Sequence, residues 1–154
     1  MVMFREKTPR APLALMTFGI VPFAVFAGLI LYWRDQPIQM QNAGLWLTIY
    51  SAVILSFLGG VRWGVEIALR ERPRWGELVP SIMGSLIGWG GVVWYFQTLH
   101  QEYVLAGMAG ALLLHYFYDI LSPELPHWYR KLRIWPTLGA IASLALGAAL
   151  FGWA

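Results

Sequence analysis

Two pairs of ionisable residues stand one helical turn apart inside largely apolar sequence: Arg62 with Glu66, and His115 with Asp119. Residues four apart share a helix face, so each pair brings complementary groups together. A carboxylate beside a histidine can orient the ring or relay a proton; an arginine beside a glutamate can pair with it or hold an anion. Catalysis would need more than this. No serine lies within obvious reach of His115 and Asp119, and there is no His-Glu-x-x-His motif, no aspartate pair within apolar segments and no phosphate-cradling glycine loop. His100 and His127 fall at opposite ends of the apolar segments, and the absence of cysteine removes disulfide and thiolate chemistry. An enzyme, a metal site and a bound cofactor are therefore not expected.

The elements that must position these groups are membrane spans. Of 154 residues, 58% are hydrophobic and only 12% charged, with a mean hydropathy of +0.57, whereas soluble domains run near a quarter charged. Five apolar segments are long enough to cross a hydrocarbon core of about 30 Å at about 1.5 Å per residue. They lie at 12–33, 43–61 (the helix extending to 69), 78–97, 103–121 and 134–153. The expected fold is all-α, a single five-helix transmembrane domain over 1–154. The first span reads as a retained signal anchor, since its apolar run continues to Tyr32 and Trp33 without a small-x-small cleavage site. Pro22, which has no N–H for the carbonyl of Phe18, should kink it.

Basic residues set the orientation. Arg5, Lys7 and Arg10 precede the first span; Arg62, Arg70, Arg72 and Arg74 fall between the second and third; Arg130, Lys131 and Arg133 fall between the fourth and fifth. Arg34 alone lies on the other side. Lysine and arginine are retained in the cytoplasm, so the amino terminus is expected to be cytoplasmic and the carboxyl terminus periplasmic, in a bacterial inner membrane. The net charge of +3 then reflects topology and contact with anionic lipid headgroups, not nucleic-acid binding. Neither an internal repeat nor a low-complexity segment is present, which weighs against the repeat architecture of many transporters.

Small residues mark places where membrane helices pack closely. Ser81, Gly84, Ser85 and Gly88 form such a face on the third span, Ala106, Gly107, Gly110 and Ala111 on the fourth, and Gly139, Ser143 and Gly147 on the fifth. These faces are expected to pack within the bundle, with a homo-oligomer or another protein partner as the alternative. On the second span Thr48, Ser51, Leu55, Gly59, Arg62 and Glu66 fall on one stripe, and Gly59 and Gly60 would let a neighbouring backbone approach. Arg62 lies about 28 Å along this helix and Asp119 about 24 Å along the fourth. Their depths match, so a buried Arg62–Asp119 ion pair is expected, with Glu66 as the partner of Arg62 on the same helix and Arg133 extending the network.

The stretches "GIVPF", "YSAVILSFLGGVRWG", "LVPS" and "WYRKLRIWPT", together with Asp119, resemble the domain of unknown function 3429, the family of mitochondrial transmembrane protein 69. The resemblance implies a small integral protein of bacterial or mitochondrial inner membranes without an established activity. Carried over, its pattern points to Tyr50, Ser56, Gly59, Gly60, Arg62, Trp63, Gly64, Asp119, Trp128, Tyr129 and Arg133. Nine tryptophans and five spans also suggest the tryptophan-rich sensory proteins, which would imply a tetrapyrrole or sterol site, but no Trp-x-Pro-Pro element stands near the start of the chain. Most tryptophans fall at span ends, as in an aromatic belt; Trp89 is the best candidate for ligand contact. Two functions follow. The first is a structural or accessory membrane component; the second is a small-molecule or ion transporter or binding protein with a site between helices 2 and 4, built from Arg62, Glu66, His115, Asp119 and Trp63.

Overall fold

The computed structural model describes residues 9–153, so the expectations for Arg5 and Lys7 lie outside the described residues. Seven helices make five membrane-length spans and, among the described residues, there are no strands. The first span is α1 (Arg10–Phe18) followed by α2 (Val21–Tyr32); the second is α3 (Pro37–Leu69); the third is α4 (Trp75–Gln97) and the fourth α5 (Gln101–Ile120). The fifth is α6 (His127–Leu132) followed by α7 (Ile134–Gly152). The spans fall where expected to within two residues, except at three starts. The second begins at Pro37, whose ring suits the first turn of a helix. The third begins at Trp75, and the fifth gains α6 as an extra turn and a half.

Both interrupted spans break at prolines. In the first, the helix stops at Phe18 and resumes at Val21 beside Pro22, as the missing N–H predicts. The Tyr50 hydroxyl, on α3, donates to the carbonyl of Gly19 in the gap at 2.9 Å, and its ring meets Phe23 edge-on. In the fifth, Pro136 cannot donate to the carbonyl of Leu132, and α6 gives way to α7 at Arg133.

The bundle is organised around α3, which packs on α4 along one side and on α2 along another, while α7 closes the ring against α5 and α2. Its core is aliphatic: Ile30, Leu47, Leu55, Leu105 and Leu144 are almost wholly buried. The outer surface is equally apolar, with Leu15, Phe18, Trp89, Leu114 and Trp135 each at least two-thirds exposed. In water such a surface would be a severe liability, but lipid tails solvate it as well as leucine does.

The α3–α4 seam is the tightest. A methyl group added at Gly59 would collide with the Ser81 carbonyl oxygen; at Gly84 it would stand 2.7 Å from the Leu55 oxygen, and at Gly88 2.8 Å from the Ala52 Cα. Gly139 and Gly147 likewise meet Ile20 and Leu105 closely. Two expectations fail here. Gly60 has nothing within contact range, because it lies one residue, about 100°, off the facing stripe. Gly107 and Gly110 are equally open, and Ala106 is exposed, so of the four small residues expected on that face of α5 Ala111 alone turns inward.

Candidate functional site

The candidate residues Arg62, Glu66, His115 and Asp119 gather at one end of the bundle, where α3 outlasts its apolar stretch. Its 33 residues measure about 50 Å, well beyond a hydrocarbon core of about 30 Å. The last two turns of α3 therefore carry Arg62 and Glu66 into a polar layer shared with the first turn of α4, the end of α5, the following loop and the α6–α7 joint.

Both expected pairings of Arg62 are replaced. Arg62 is 4% exposed and donates from Nη2 to the Glu77 carboxylate at 2.7 Å, while its guanidinium lies over the Tyr118 ring at 4.3 Å. The Tyr118 hydroxyl donates to the same carboxylate at 2.9 Å. The cause is the seam below: contact of Gly59 with Ser81 brings the start of α4 against the end of α3, and starting α4 at Trp75 puts Glu77 in its first turn. Asp119, 0% exposed, instead accepts from Nε of Arg133 at 2.9 Å. Arg133 was expected only to extend a network centred on Arg62; at the joint before α7 it is the primary partner.

Glu66 does not pair with Arg62. Its carboxylate accepts from Arg70 Nε at 3.2 Å and from the backbone N–H, Nε and Nη2 of Arg74 at 2.8 to 3.1 Å. Both arginines also reach Glu124 at 3.1 Å, in the loop after α5. The loops after α3 and α5 are thus stitched together through two acids and two bases. Hydrogen bonds to Glu66 hold the Arg74 guanidinium above its usual range. Glu124 is held below the usual carboxylate range, first by its own backbone N–H and then, against some desolvation, by Arg74 and Ser122.

His115 is buried on the inner side of this layer. Its Nδ1 stands 3.6 Å from Asp119 Oδ2, too far for a hydrogen bond, and its ring meets Tyr118 edge-on. Among the described residues neither ring nitrogen has a hydrogen-bond partner, and the same holds for Arg62 Nε and Nη1, Asp119 Oδ1, Arg133 Nη2, Tyr129 Oη and Thr137 Oγ1.

A profile described as "Protein of unknown function (DUF3429)" matches residues 8–149. The chain belongs to this family. Transmembrane protein 69 of Xenopus tropicalis is 31% identical over 148 residues, covering 90% of this chain and 54% of its own length. Transmembrane protein 69 of Mus musculus is 26% identical over 141 residues, covering 90% of this chain and 56% of its own. The chain thus spans about half the length of these curated relatives. No solved structure matches it. Five apolar spans and these relatives make it a multi-pass membrane protein.

The DUF3429 motif residues separate into three groups in space. Tyr50 and "GIVPF" meet at the break in the first span. Gly59 and Ser56 belong to the α3–α4 seam, Ser56 accepting from the Ser85 hydroxyl at 2.9 Å. Arg62, Asp119, Tyr129 and Arg133 form the charged layer, with Trp128 against Tyr129. Gly60, Gly64 and Trp63 touch none of these: both glycines are open, and Trp63 is 41% exposed on the outer side of α3. Trp89, at 68%, also faces outward. Glu77, Tyr118 and Glu124 belong to the charged layer without having been expected there, and Arg70 and Arg74 were expected only as markers of orientation.

Proposed function

We propose that this DUF3429 protein is a structural or accessory component of a bacterial inner membrane, oriented with its charged end in the cytoplasm, and that its arginines and acids lock that end of the bundle. The Arg62–Glu77 and Arg133–Asp119 pairs carry this reading. Each joins two elements that the apolar core alone would leave free to slide, and each consumes the charge that an ion path or anion site would need. Catalysis has no part in it. The outward face of Ala106, Gly107 and Gly110 on α5 supplies a surface on which a second membrane protein, or another copy, could pack closely.

Extraction in native lipid with mass spectrometry of what co-purifies tests the proposal. A membrane protein retained in fixed stoichiometry, and lost when Gly107 and Gly110 are both replaced by leucine, is the expected outcome. A transported ion or solute that accumulates in proteoliposomes only with the intact protein would overturn it in favour of transport. For orientation, a reporter active only in the periplasm should be active after Ala154 and silent after Arg74 or Arg133.

A further inference from the structure

We infer that the groove between the first span, α3, α5 and α7 seats one acyl chain of a membrane glycerolipid, with the ester carbonyl of that chain accepting a hydrogen bond from Arg133. The groove has a volume of about 160 Å³ and is bounded by Leu15 and Met16 on α1, Phe23 on α2, Phe57 on α3, Leu112 on α5 and Ala140 on α7. At about 30 Å³ for each small group, it takes roughly five carbons, the carbonyl end of a chain. Leu15 and Phe57 are both more than three-fifths exposed on the lipid-facing surface, so the groove opens sideways into the bilayer and the rest of the chain leaves through that opening.

The polar end of the groove selects the occupant. Arg133 and Thr137 line it together, one helical turn apart, and both are 4% exposed. The Arg133 guanidinium spends Nε on Asp119, and Nη2 is enclosed without a partner; Nη1, neither enclosed nor hydrogen-bonded among the described residues, is left as the nitrogen open to the groove. The Thr137 hydroxyl has no partner among the described residues either. A guanidinium only donates, so its counterpart must carry an acceptor oxygen. Asp119 already meets the charge of Arg133, so a neutral carbonyl suits a position from which a second carboxylate would be repelled. Depth agrees with this choice. The 19 residues of α7, from Ile134 to Gly152, extend about 28 Å beyond Arg133, close to one hydrocarbon thickness. Arg133 therefore stands at the boundary where lipid ester carbonyls lie, and a chain starting there runs past Thr137 and Ala140 toward the bilayer centre. The pairings that lock the charged end do not depend on this occupant.

The test uses the full chain in dodecyl maltoside, a detergent without ester groups, and counts bound lipid by native mass spectrometry. Dioleoyl phosphatidylcholine and its diether counterpart share head group and chains and differ in the ester carbonyls. The diester should bind about three- to tenfold more tightly, the ratio one net hydrogen bond supports. In the double variant Arg133→Ala with Asp119→Ala, which removes donor and counter-charge together, the two lipids should bind equally. Met16→Trp, a change on the half-buried wall that fills the groove, should weaken binding of both and remains informative if the double variant does not fold. A diazirine near the carbonyl end of an acyl chain should label peptides holding Met16 and Phe57. Equal affinity for diester and diether in the unmodified protein, a preference that survives the double variant, undiminished binding in Met16→Trp, tighter binding of oleate than of the diester, or label spread evenly around the bundle overturns the inference.

Discussion

The two faces of α4 and α5 that carry small residues look alike in sequence and behave oppositely. Ser81, Gly84 and Gly88 on α4 meet a matching stripe on α3, where Gly59 presses on the Ser81 carbonyl and Ala52 fills the space before Gly88. On α5, Ala106 is exposed, and Gly107 and Gly110 meet nothing among the described residues. A small-residue stripe therefore states that a close approach is possible, and the second stripe states with whom. The α3–α4 seam has both. The α5 face lacks a partner within the bundle, while the inner face of α5 contributes leucines, Met108 and the charged layer.

The largest expected effect breaks the seam. Gly59→Leu places a side chain where a backbone carbonyl cannot yield, and should destabilise the detergent-solubilised protein by at least about 4 kcal/mol, enough to abolish a cooperative melt. Gly60→Leu, one residue away and facing open space, should leave thermal stability unchanged or raise it by up to about 1 kcal/mol through helix propensity. Comparable losses for the two would mean that the seam does not run through Gly59.

Next come the ion pairs that the seam positions. Asp119→Ala leaves Arg133 buried without its carboxylate and should cost about 3 kcal/mol or more, and Arg133→Ala about the same. The double variant should cost clearly less than the sum, whereas Arg62→Ala with Asp119→Ala should be nearly additive. Thermal melts of the single and double variants measure both. Strong coupling between Arg62 and Asp119 would move the pairing back to the one their matched depth suggests.

That reversal shows what was legible. Burial of Arg62 and Glu66 followed from a polar stripe on an apolar helix, and that of Asp119 from its depth on the fourth span, since a charge inside a bundle must turn inward. The partners did not follow, because depth along two helices fixes only one coordinate. Glu77 was within reach of inference: beginning the third span three residues earlier makes it a first-turn acid, favoured by the helix dipole and level with Arg62. Tyr118, next to Asp119, carried no pattern that distinguished it from an interfacial aromatic. The Glu124 bonds to Arg70 and Arg74 join loops fifty or more residues apart in sequence, and only opposite charge hinted at them. Tyr50 and the Gly19 break were each readable alone, but their hydrogen bond depends on how α2 leans on α3.

A smaller effect sharpens the contrast between the buried layer and the loops above it. Glu124 has a folded-state pKa below its unfolded value, so its contribution is complete above the ordinary carboxylate range near about 4.3 and is lost as pH falls through the lowered folded value. Stability should therefore be flat in this contribution from about pH 6 upward and decline below about pH 4. Glu124→Gln should remove that part of the acid slope while costing less than about 1 kcal/mol at neutral pH, since the pairs it makes are partly exposed. High salt should weaken this contribution and leave the Arg133–Asp119 coupling largely intact. An acid slope unchanged in Glu124→Gln would place the titration on another carboxylate.

The smallest expected effect on the isolated chain tests the α5 face. Gly107→Leu and Gly110→Leu add side chains into space that no other described residue occupies, and leucine favours a helix over glycine by somewhat under about 1 kcal/mol per site. Thermal stability of the monomer in detergent should therefore hold or rise slightly. If the face is a contact with another chain, the same changes should displace that chain, because two helix backbones that approach across glycine cannot do so across leucine. The paired measurement is a melt beside a mass determination in native lipid: unchanged or higher stability together with loss of a co-purifying mass identifies the face as intermolecular. A fall in stability comparable to that of Gly59→Leu would show instead that α5 packs this face within the bundle, and the distinction between the two stripes would disappear.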